Sequence, residues 1–265
     1  MGIVHDLSNE EYHATAGVSS SAVKTVAKKS VAHWKGQKMS QTAAFRTGTS
    51  VHALLLEEDR DLVIKGPKTR SSLAFKNMEA DLQDEQILLT EVEYNVARCI
   101  ARGALKNPHA KAALRHKDRL NEVSIFADCP RTGLALKTRP DLAILSQGVP
   151  PAATSEGIIY DVKTTQDASP QGFASETFKY AYHLQAAFYL YVCNLAGWEV
   201  SRFKFICVEK TAPFVCHIFE VGPELLAKAT QQMHQTLDII AAAEKNGDYG
   251  TGWGECTTLK LPAWL

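Results

Sequence analysis

The sequence lacks long hydrophobic segments, clustered cysteines and an excess of charge of either sign. No run of eighteen apolar residues occurs among its 265 residues, so we expect no membrane-spanning helix. The first residues do not show the basic and then apolar pattern of a secretion signal. We therefore expect a cytoplasmic protein that does not associate with a membrane.

The cysteine spacing argues against a metal–thiolate centre. The six cysteines include no C-x-x-C pair and are scattered as Cys99, Cys129, Cys193, Cys207, Cys216 and Cys256. A zinc or iron–sulfur site needs clustered thiolates. We expect reduced thiols and no iron–sulfur cluster.

The charges balance, with 29 basic and 29 acidic side chains. A protein that simply coats nucleic acid is usually basic, so this balance counts against that function class. Five lysines without an intervening acid nevertheless lie between Ser20 and Ser40: Lys24, Lys28, Lys29, Lys35 and Lys38. Such a segment is typical either of a solvated helix face or of a contact with phosphates, and both interpretations stay open.

Hydrophobic periodicity predicts an α/β fold in which helices come before strands. Helices are predicted over residues 19–34, 48–58, 90–105, 108–115, 180–195 and 223–245. Strands are predicted over residues 123–127, 134–139, 141–145, 157–163, 203–208 and 214–219. The first two are predicted as a hairpin, and residues 141–145 are expected to continue its second strand. Residues 64–82 are polar and predicted to be an irregular loop. We expect a single domain over residues 1–265, with a helical N-terminal part over about 1–120 and a strand-rich catalytic half over about 121–265.

The most informative local pattern is Asp161-Val162-Lys163. On a strand, positions i and i+2 face the same side, so the Asp161 carboxylate and the Lys163 ammonium project together. Taken alone, the pattern is typical of an ion pair at a strand end. Asp141 adds a second carboxylate 20 residues upstream, and two converging carboxylates suit Mg²⁺ or Mn²⁺. Such a metal could activate water for phosphodiester hydrolysis, while a lysine offsets the developing negative charge.

These residues resemble the signature of the PD-(D/E)xK nuclease superfamily, with Pro140-Asp141 followed by Asp161-Val162-Lys163. Further stretches are similar to the RecE-type exonucleases (exonuclease VIII) of prophage recombination systems. They are Gly48-Thr49-Ser50-Val51-His52 with Leu56-Glu57, Gly133 to Asp141, Asp161 to Thr165, and Tyr182 to Tyr189. The resemblance runs from about Val18 over nearly the whole chain. It implies an α/β fold with a restriction-endonuclease-like core, in which helices flank a central mixed β-sheet, and a helical N-terminal part.

The resemblance also implies roles for individual residues. The implied metal ligands are His52, Asp141, Asp161 and the backbone carbonyl of Val162, with Mg²⁺ as cofactor and Mn²⁺ as substitute. Glu122 is either a further metal ligand or a strand-edge carboxylate. The implied catalytic residues are Lys163, Asp161 and Asp141, together with Gln185 and Tyr189 of a Q-x-x-x-Y motif on one helical face.

A last group of residues is implied to contact DNA. Ser19 and Ser21 would hold a terminal 5′ phosphate at a helix N-terminus, or would be ordinary N-cap residues. Thr164 and Thr165 would touch the DNA backbone, or would form a turn. Arg139 is placed with the DNA-binding residues because it lies beside Asp141.

The implied activity is a 5′-to-3′ exonuclease that degrades linear double-stranded DNA and leaves 3′ single-stranded tails for recombination by strand annealing. The implied partners are DNA ends, a RecT-like annealing protein and further copies of the chain in a ring, with a tetramer favoured. Two other hypotheses are an endonuclease of restriction or junction-resolving type and a DNA-binding module without activity. Closed circular DNA discriminates between the exonuclease and the endonuclease, since an end-dependent enzyme leaves it intact.

Overall fold

The computed structural model describes residues 2–37, 43–57, 61–145, 157–254, 256 and 258, and for residues 43 and 44 the backbone alone. Its helices are α1 (Asn9–Ala14), α2 (Ser20–Lys28), α3 (Val31–Lys35), α4 (Ala43–Leu56), α5 (Leu73–Ala80), α6 (Glu91–Lys106), α7 (Pro108–Leu114), α8 (Pro170–Lys179), α9 (Tyr182–Leu195) and α10 (Pro223–Asn246). Its strands are β1 (Ile3–Val4), β2 (Val63–Lys65), β3 (Ile87–Leu89), β4 (Arg119–Asn121), β5 (Ser124–Asp128), β6 (Ala135–Thr138), β7 (Leu142–Ile144), β8 (Gly157–Thr165), β9 (Val200–Glu209) and β10 (Cys216–Glu220).

The central sheet has five strands in the order β10-β9-β8-β7-β4. β8 and β9 run parallel, whereas the other neighbouring pairs are antiparallel. A separate three-stranded sheet has the order β1-β5-β6, and β2 pairs with β3 in parallel. The predicted α/β fold with a mixed sheet flanked by helices is confirmed.

Helices cover the central sheet on both faces because side chains alternate along each strand. On β8, Ile159 packs into a core with α2, α8, α9 and α10. Tyr160 and Val162 point the other way and pack with α4, α6 and α7. The largest fully buried side chains in the described residues belong to both cores, among them Phe173, Phe188, Phe203, Leu114 and Ile100. The strands of the sheet are therefore held between two apolar layers.

The hairpin predicted before Asp141 is present, but the strand after it belongs to another sheet. β5 and β6 pair antiparallel in the three-stranded sheet, and β7 pairs with β8 in the five-stranded sheet. The chain crosses between the two sheets at Arg139-Pro140, where proline removes a ladder donor. The expectation that residues 141–145 continue the hairpin strand is wrong, and Asp141 lies at the junction of the two sheets.

Several helices begin where side chains can cap them. Thr90 forms a capping box with Glu93 at the start of α6, and Ser30 accepts from the His33 N–H at the start of α3. The Ser30 cap interrupts the helix predicted over 19–34 and divides it into α2 and α3. Helix α8 was not predicted, although Ser169 followed by Pro170 is a recognisable N-terminal signal.

The loop predicted over residues 64–82 needs correction. Val63–Lys65 is a strand, and Leu73–Ala80 is a helix capped by Ser72, with Phe75 buried beneath it. The first 121 residues also supply β1, β2, β3 and β4. The closing Leu-Pro-Ala-Trp motif lies outside the described residues. Within the described part of the chain, none of the helices has the length and apolarity that crossing a membrane requires.

Candidate active site

The second half of β8 brings Asp161 and Lys163 to one face of the central sheet. The Lys163 ammonium forms an ion pair with Asp161 Oδ2, and Asp161 is only 1% exposed. Burial alone would lower the pKa of Lys163, but the Asp161 and Asp141 carboxylates outweigh it and raise that pKa above its usual value. Lys163 is therefore a fixed positive charge beside Asp161.

Asp141 meets β8 because of the antiparallel register between β7 and β8. Leu142 pairs with Tyr160, so the preceding residue, Asp141, lies level with Asp161. Asp141 Oδ2 accepts the Val162 backbone N–H at 2.7 Å. Burial raises the pKa of Asp141 to about 6, despite the opposing effect of His52.

His52 reaches the same place from α4, on the opposite side of the sheet. Its Nε2 lies 2.9 Å from the Val162 carbonyl oxygen, which can only accept, so Nε2 carries the proton. Its Nδ1 lies 3.4 Å from Asp141 Oδ2. A proton or a metal cation shared by these two atoms would hold them together.

Glu122 completes this group from the turn between β4 and β5. Its backbone has φ 49°, in the left-handed region, and its N–H donates to the Asp141 carbonyl at 3.2 Å. A non-glycine residue in this region is strained, and such strain is concentrated at functional sites. Burial, Asp141 and Glu57 raise the pKa of Glu122 well above its usual value.

One ligand atom from each of His52, Glu122 and Asp141 lies within 4.8 Å of the others. We call these three residues the acidic pocket. No lysine or arginine of the described residues forms an ion pair with Asp141 or Glu122. Two carboxylates and one imidazole whose ligand atoms come this close fit a divalent metal such as Mg²⁺ or Mn²⁺. The Val162 carbonyl orients the His52 ring in the way that outer-shell groups do. Its expected role as a metal ligand, like that of Asp161, stays a prediction.

Gln185 on α9 links Asp161 to a residue that sequence analysis did not place in the site. Its amide nitrogen donates to Asp161 Oδ1, and its oxygen accepts from Lys24 Nζ at 3.1 Å. Gln185 is 4% exposed and therefore braces the catalytic strand. Tyr189, one helical turn later, is half-buried, and its ring centroid lies 6.0 Å from that of Phe203.

Lys24 is the residue missed as a site component. Burial, and then Lys163, lower its pKa to about 8, while Asp161 acts in the opposite direction. We call Asp161, Lys163, Gln185 and Lys24 the lysine cluster. The signal available in the sequence was the run of lysines without acids, but that run does not tell which lysine turns inwards. Lys24 does so because Ala22, Val23 and Val26 bury the same helix against the core.

Two of the expected DNA contacts have other partners. The Arg139 guanidinium is 8% exposed and bonds to Ser124 Oγ, Asn9 Oδ1 and the Leu7 carbonyl. It also lies over the Tyr12 ring, 4.4 Å from its centroid. The assignment of Arg139 to DNA is therefore wrong, because its donors tie the N-terminal segment to β5.

The contacts decide the assignment of one of the expected threonine and serine residues and leave the others open. Thr165 is 1% exposed, and its hydroxyl accepts from the Asp167 N–H, so it forms the turn after β8 and not a DNA contact. Thr164 is half-buried near Gly48. Ser19 occupies the N-cap position of α2 without a capping bond from its side chain, and Ser21 is exposed. Thr164, Ser19 and Ser21 stay predictions.

Comparison with known proteins agrees with this geometry. Residues 19–262 match the family described as a PDDEXK-like domain of unknown function (DUF3799). No curated protein sequence matches the chain.

Solved structures share the fold. An inferred exonuclease from Eubacterium rectale superposes with a TM-score of 0.61 at 15% identity, over 98% of this chain and 96% of that one. The protein SSO0001 gives a TM-score of 0.31 at 12% identity, over 76% of this chain and 87% of that one. LHK-Exo in complex with dAMP gives 0.27 at 16% identity, over 78% and 97%. The first of these supports the fold, and the other two superpose too poorly to carry an argument.

Proposed function

Because this chain belongs to the PDDEXK-like domain family, within the PD-(D/E)xK nuclease superfamily, we propose that it hydrolyses DNA phosphodiester bonds with a divalent metal. The observation that carries the proposal is the contact between the acidic pocket and the lysine cluster. Val162 lies between them, since its N–H binds Asp141 while its carbonyl accepts from His52. One strand thus presents a cation-binding group and a fixed ammonium side by side.

The acidic pocket would hold the metal. A bound Mg²⁺ or Mn²⁺ would supply a polarised phosphoryl oxygen and a more acidic water. Asp141 and Glu122 would contribute oxygen ligands and His52 its Nδ1. The Nε2 proton of His52 stays with the Val162 carbonyl and fixes the ring for this purpose.

The lysine cluster would stabilise charge on the substrate. Lys163 keeps its proton, because its pKa is raised, so its role is to offset the negative charge that develops on phosphate. Gln185 holds the Asp161 carboxylate in position, and that carboxylate holds the Lys163 ammonium. Lys24 adds a second ammonium near the same oxygens, where a DNA phosphate can bind.

More specifically, we infer that the chain is a RecE-type exonuclease that acts from the 5′ ends of linear duplex DNA. Residues 1–265 would form one catalytic domain. The order and spacing of the motifs support this inference, and the description of the Eubacterium rectale protein agrees with it. The proposal extends to Mg²⁺ as the metal used, a homo-oligomeric ring, a RecT-like annealing partner and a cytoplasmic location. Ser19 and Ser21 would then receive the terminal phosphate.

The experiment offers the protein linear duplex, linear single-stranded and closed circular DNA, each with Mg²⁺ or with chelator. We expect hydrolysis of the linear duplex, no cutting of closed circles and no reaction with chelator. Cutting of closed circles would support the endonuclease alternative. Absence of hydrolysis on every substrate with Mg²⁺ or Mn²⁺ would sink the proposed function.

A further inference from the structure

Two tyrosines lead from the candidate active site to the surface where α8 meets α9. Tyr182 is half-buried, and its ring centroid lies 4.9 Å from Lys163 Nζ and 5.8 Å from Lys24 Nζ. The Tyr180 ring lies 5.6 Å from the Tyr182 ring and is 45% exposed. We call Tyr180 and Tyr182 the tyrosine pair. It connects the lysine cluster to solvent through aromatic surface.

The backbone at the junction of α8 and α9 fixes the orientation of the tyrosine pair. Tyr180 ends α8, with its N–H bonded to the Glu176 carbonyl at 2.8 Å. Ala181 adopts φ 54° and ψ 43°, and α9 begins at Tyr182. A non-glycine residue in this conformation is held by its surroundings, and Ala181 is 1% exposed. The exposed Tyr180 ring is therefore presented by a fixed junction.

The charges around the tyrosine pair are mostly positive. Lys179 Nζ lies 5.3 Å from the Tyr180 ring centroid, and Lys28 donates to the Lys179 carbonyl from α2. With Lys24 and Lys163, three ammonium groups lie within 6 Å of a ring centroid of the pair, and Lys28 binds the backbone next to it. Two acids oppose them: Asp161, already bound to Lys163, and Glu176, which acts on Tyr182. An aromatic surface with cations on its border suits a single-stranded nucleic acid, whose bases stack while its phosphates bind lysine.

We propose that the tyrosine pair stacks an unpaired base of a DNA end beside the bond to be cut. This inference rests on the proposed function, since it assigns the nucleotide that the same site receives. A base on Tyr180 would bring its phosphate toward Lys24 and Lys163. The site would then take its substrate from a frayed end, in which the terminal base has left the helix.

The first test measures stacking without hydrolysis. Linear duplexes carry 2-aminopurine as the terminal nucleotide, at the 5′ end in one and at the 3′ end in the other, and binding is followed by fluorescence without divalent metal. We expect wild-type protein and Tyr180→Trp to quench the probe at one of the two ends, and Tyr180→Ala to lose the quenching. Phe178→Ala is the matched control, because Phe178 is 59% exposed at the same junction but packs on His183.

The second test removes the base and not the tyrosine. An abasic terminal nucleotide should lower kcat/KM of the wild type about tenfold, in line with the stacking of one base. Tyr180→Ala should be slower by a similar factor on normal DNA and should show no further loss on the abasic end. Such non-additivity requires the base and the ring to act on each other.

Each contrary result has a distinct meaning. Equal quenching by wild type and Tyr180→Ala, or an equal abasic loss in both, overturns the stacking proposal. A change of oligomeric state in Tyr180→Ala, seen by sedimentation, means that a second copy of the chain covers the tyrosine pair, which also overturns it. If wild-type protein hydrolyses no DNA, the proposed function fails, while the quenching measurement still decides whether the pair binds a base.

Discussion

The acidic pocket and the lysine cluster meet at Val162 of β8, but their carboxylates are balanced differently. Burial is the main cause of the raised pKa values of Asp141 and Glu122; the Asp161 charge adds to it for Asp141, and the Asp141 and Glu57 charges add to it for Glu122. Asp161 is equally buried, yet it contacts the Lys163 ammonium and the Gln185 amide. The same residue type is therefore short of a counter-charge in one half and neutralised in the other. The half that is short of a counter-charge is the one that an external cation completes.

The largest expected effect is on the rate of DNA hydrolysis and comes from a substitution in the lysine cluster. Lys163→Ala should lower kcat for DNA hydrolysis about 10²- to 10³-fold, because it removes the ammonium that pairs with Asp161, while Lys24 donates to Gln185. Excess Mg²⁺ should not restore it. Lys204→Ala on β9 is a matched control, since Lys204 is similarly exposed and pairs with Glu220 at 3.3 Å. Near-normal turnover in Lys163→Ala would contradict the assignment.

The next effect concerns metal affinity. Glu122→Gln and His52→Ala should each weaken Mg²⁺ activation about 10- to 100-fold, because each removes one donor from the pocket. Unlike Lys163→Ala, Glu122→Gln should recover much of its rate at high Mg²⁺ concentration. The measurement is initial rate against Mg²⁺ concentration. Identical Mg²⁺ dependence in wild type and both variants would return Glu122 to a strand-edge carboxylate and His52 to packing.

A third prediction concerns the free energy of unfolding without metal. Substitutions in the acidic pocket and in the lysine cluster should change it in opposite directions. Asp141→Asn should stabilise the metal-free protein at pH 7.5, on the order of 2–3 kcal/mol, since it removes a desolvated charge. The amide can still accept the Val162 N–H and can donate to His52 Nδ1. Asp161→Asn should destabilise it by about 2–4 kcal/mol, since the buried Lys163 ammonium loses its partner. Urea unfolding in chelator measures both.

The pH dependence of the Asp141 effect follows from its pKa. A carboxyl whose folded pKa is raised binds its proton more tightly in the folded state, so wild-type stability rises as pH falls through about 6. The advantage of Asp141→Asn should therefore be complete above pH 6 and vanish near the usual pKa of 3.8. An advantage that stays constant from pH 4 to 8 would show that the substitution acts through packing.

The smallest predicted effect tests the hydrogen bonds that join Gln185 to Asp161 and Lys24. Gln185→Ala should lower kcat about 3- to 10-fold, in line with the loss of one or two hydrogen bonds to Asp161 and Lys24. KM for metal should stay within about twofold, because Gln185 does not contact the acidic pocket. Tyr189→Phe, which removes only a hydroxyl one helical turn later, serves as the milder comparison. A shift of metal KM in Gln185→Ala would mean that the two halves are not separable.

The sequence predicted the site residues on the strands better than the long-range contacts of other side chains. Asp161 and Lys163 share a face because strand alternation is local. The register that brings Asp141 to them pairs β7 with β8, outside the predicted hairpin. Arg139 could not be placed in this way. Whether its guanidinium meets DNA or Ser124 depends on where the N-terminal segment lies, and that is a long-range contact.

Lys24 illustrates the same limit from the other side. Its spacing from Lys28 and Lys29 fits a solvated face, and only the packing of α2 against α9 turns it toward Gln185. Glu122 was left open between two interpretations, and its left-handed backbone beside Asp141 became visible only once the two sheets were in place. Residue types and local spacing indicated the chemistry, whereas tertiary packing decided which side chains take part.

The most direct test of the account is Mn²⁺ binding without DNA, measured by electron paramagnetic resonance for the wild type, Lys163→Ala and the combined His52→Ala, Glu122→Gln, Asp141→Asn variant. We predict that wild type and Lys163→Ala bind Mn²⁺ with affinities within a few-fold of each other, and that the combined variant loses binding while staying folded. Unchanged Mn²⁺ binding in the combined variant, or its loss in Lys163→Ala, would contradict the division of the site into a metal-binding half and a self-neutralised half.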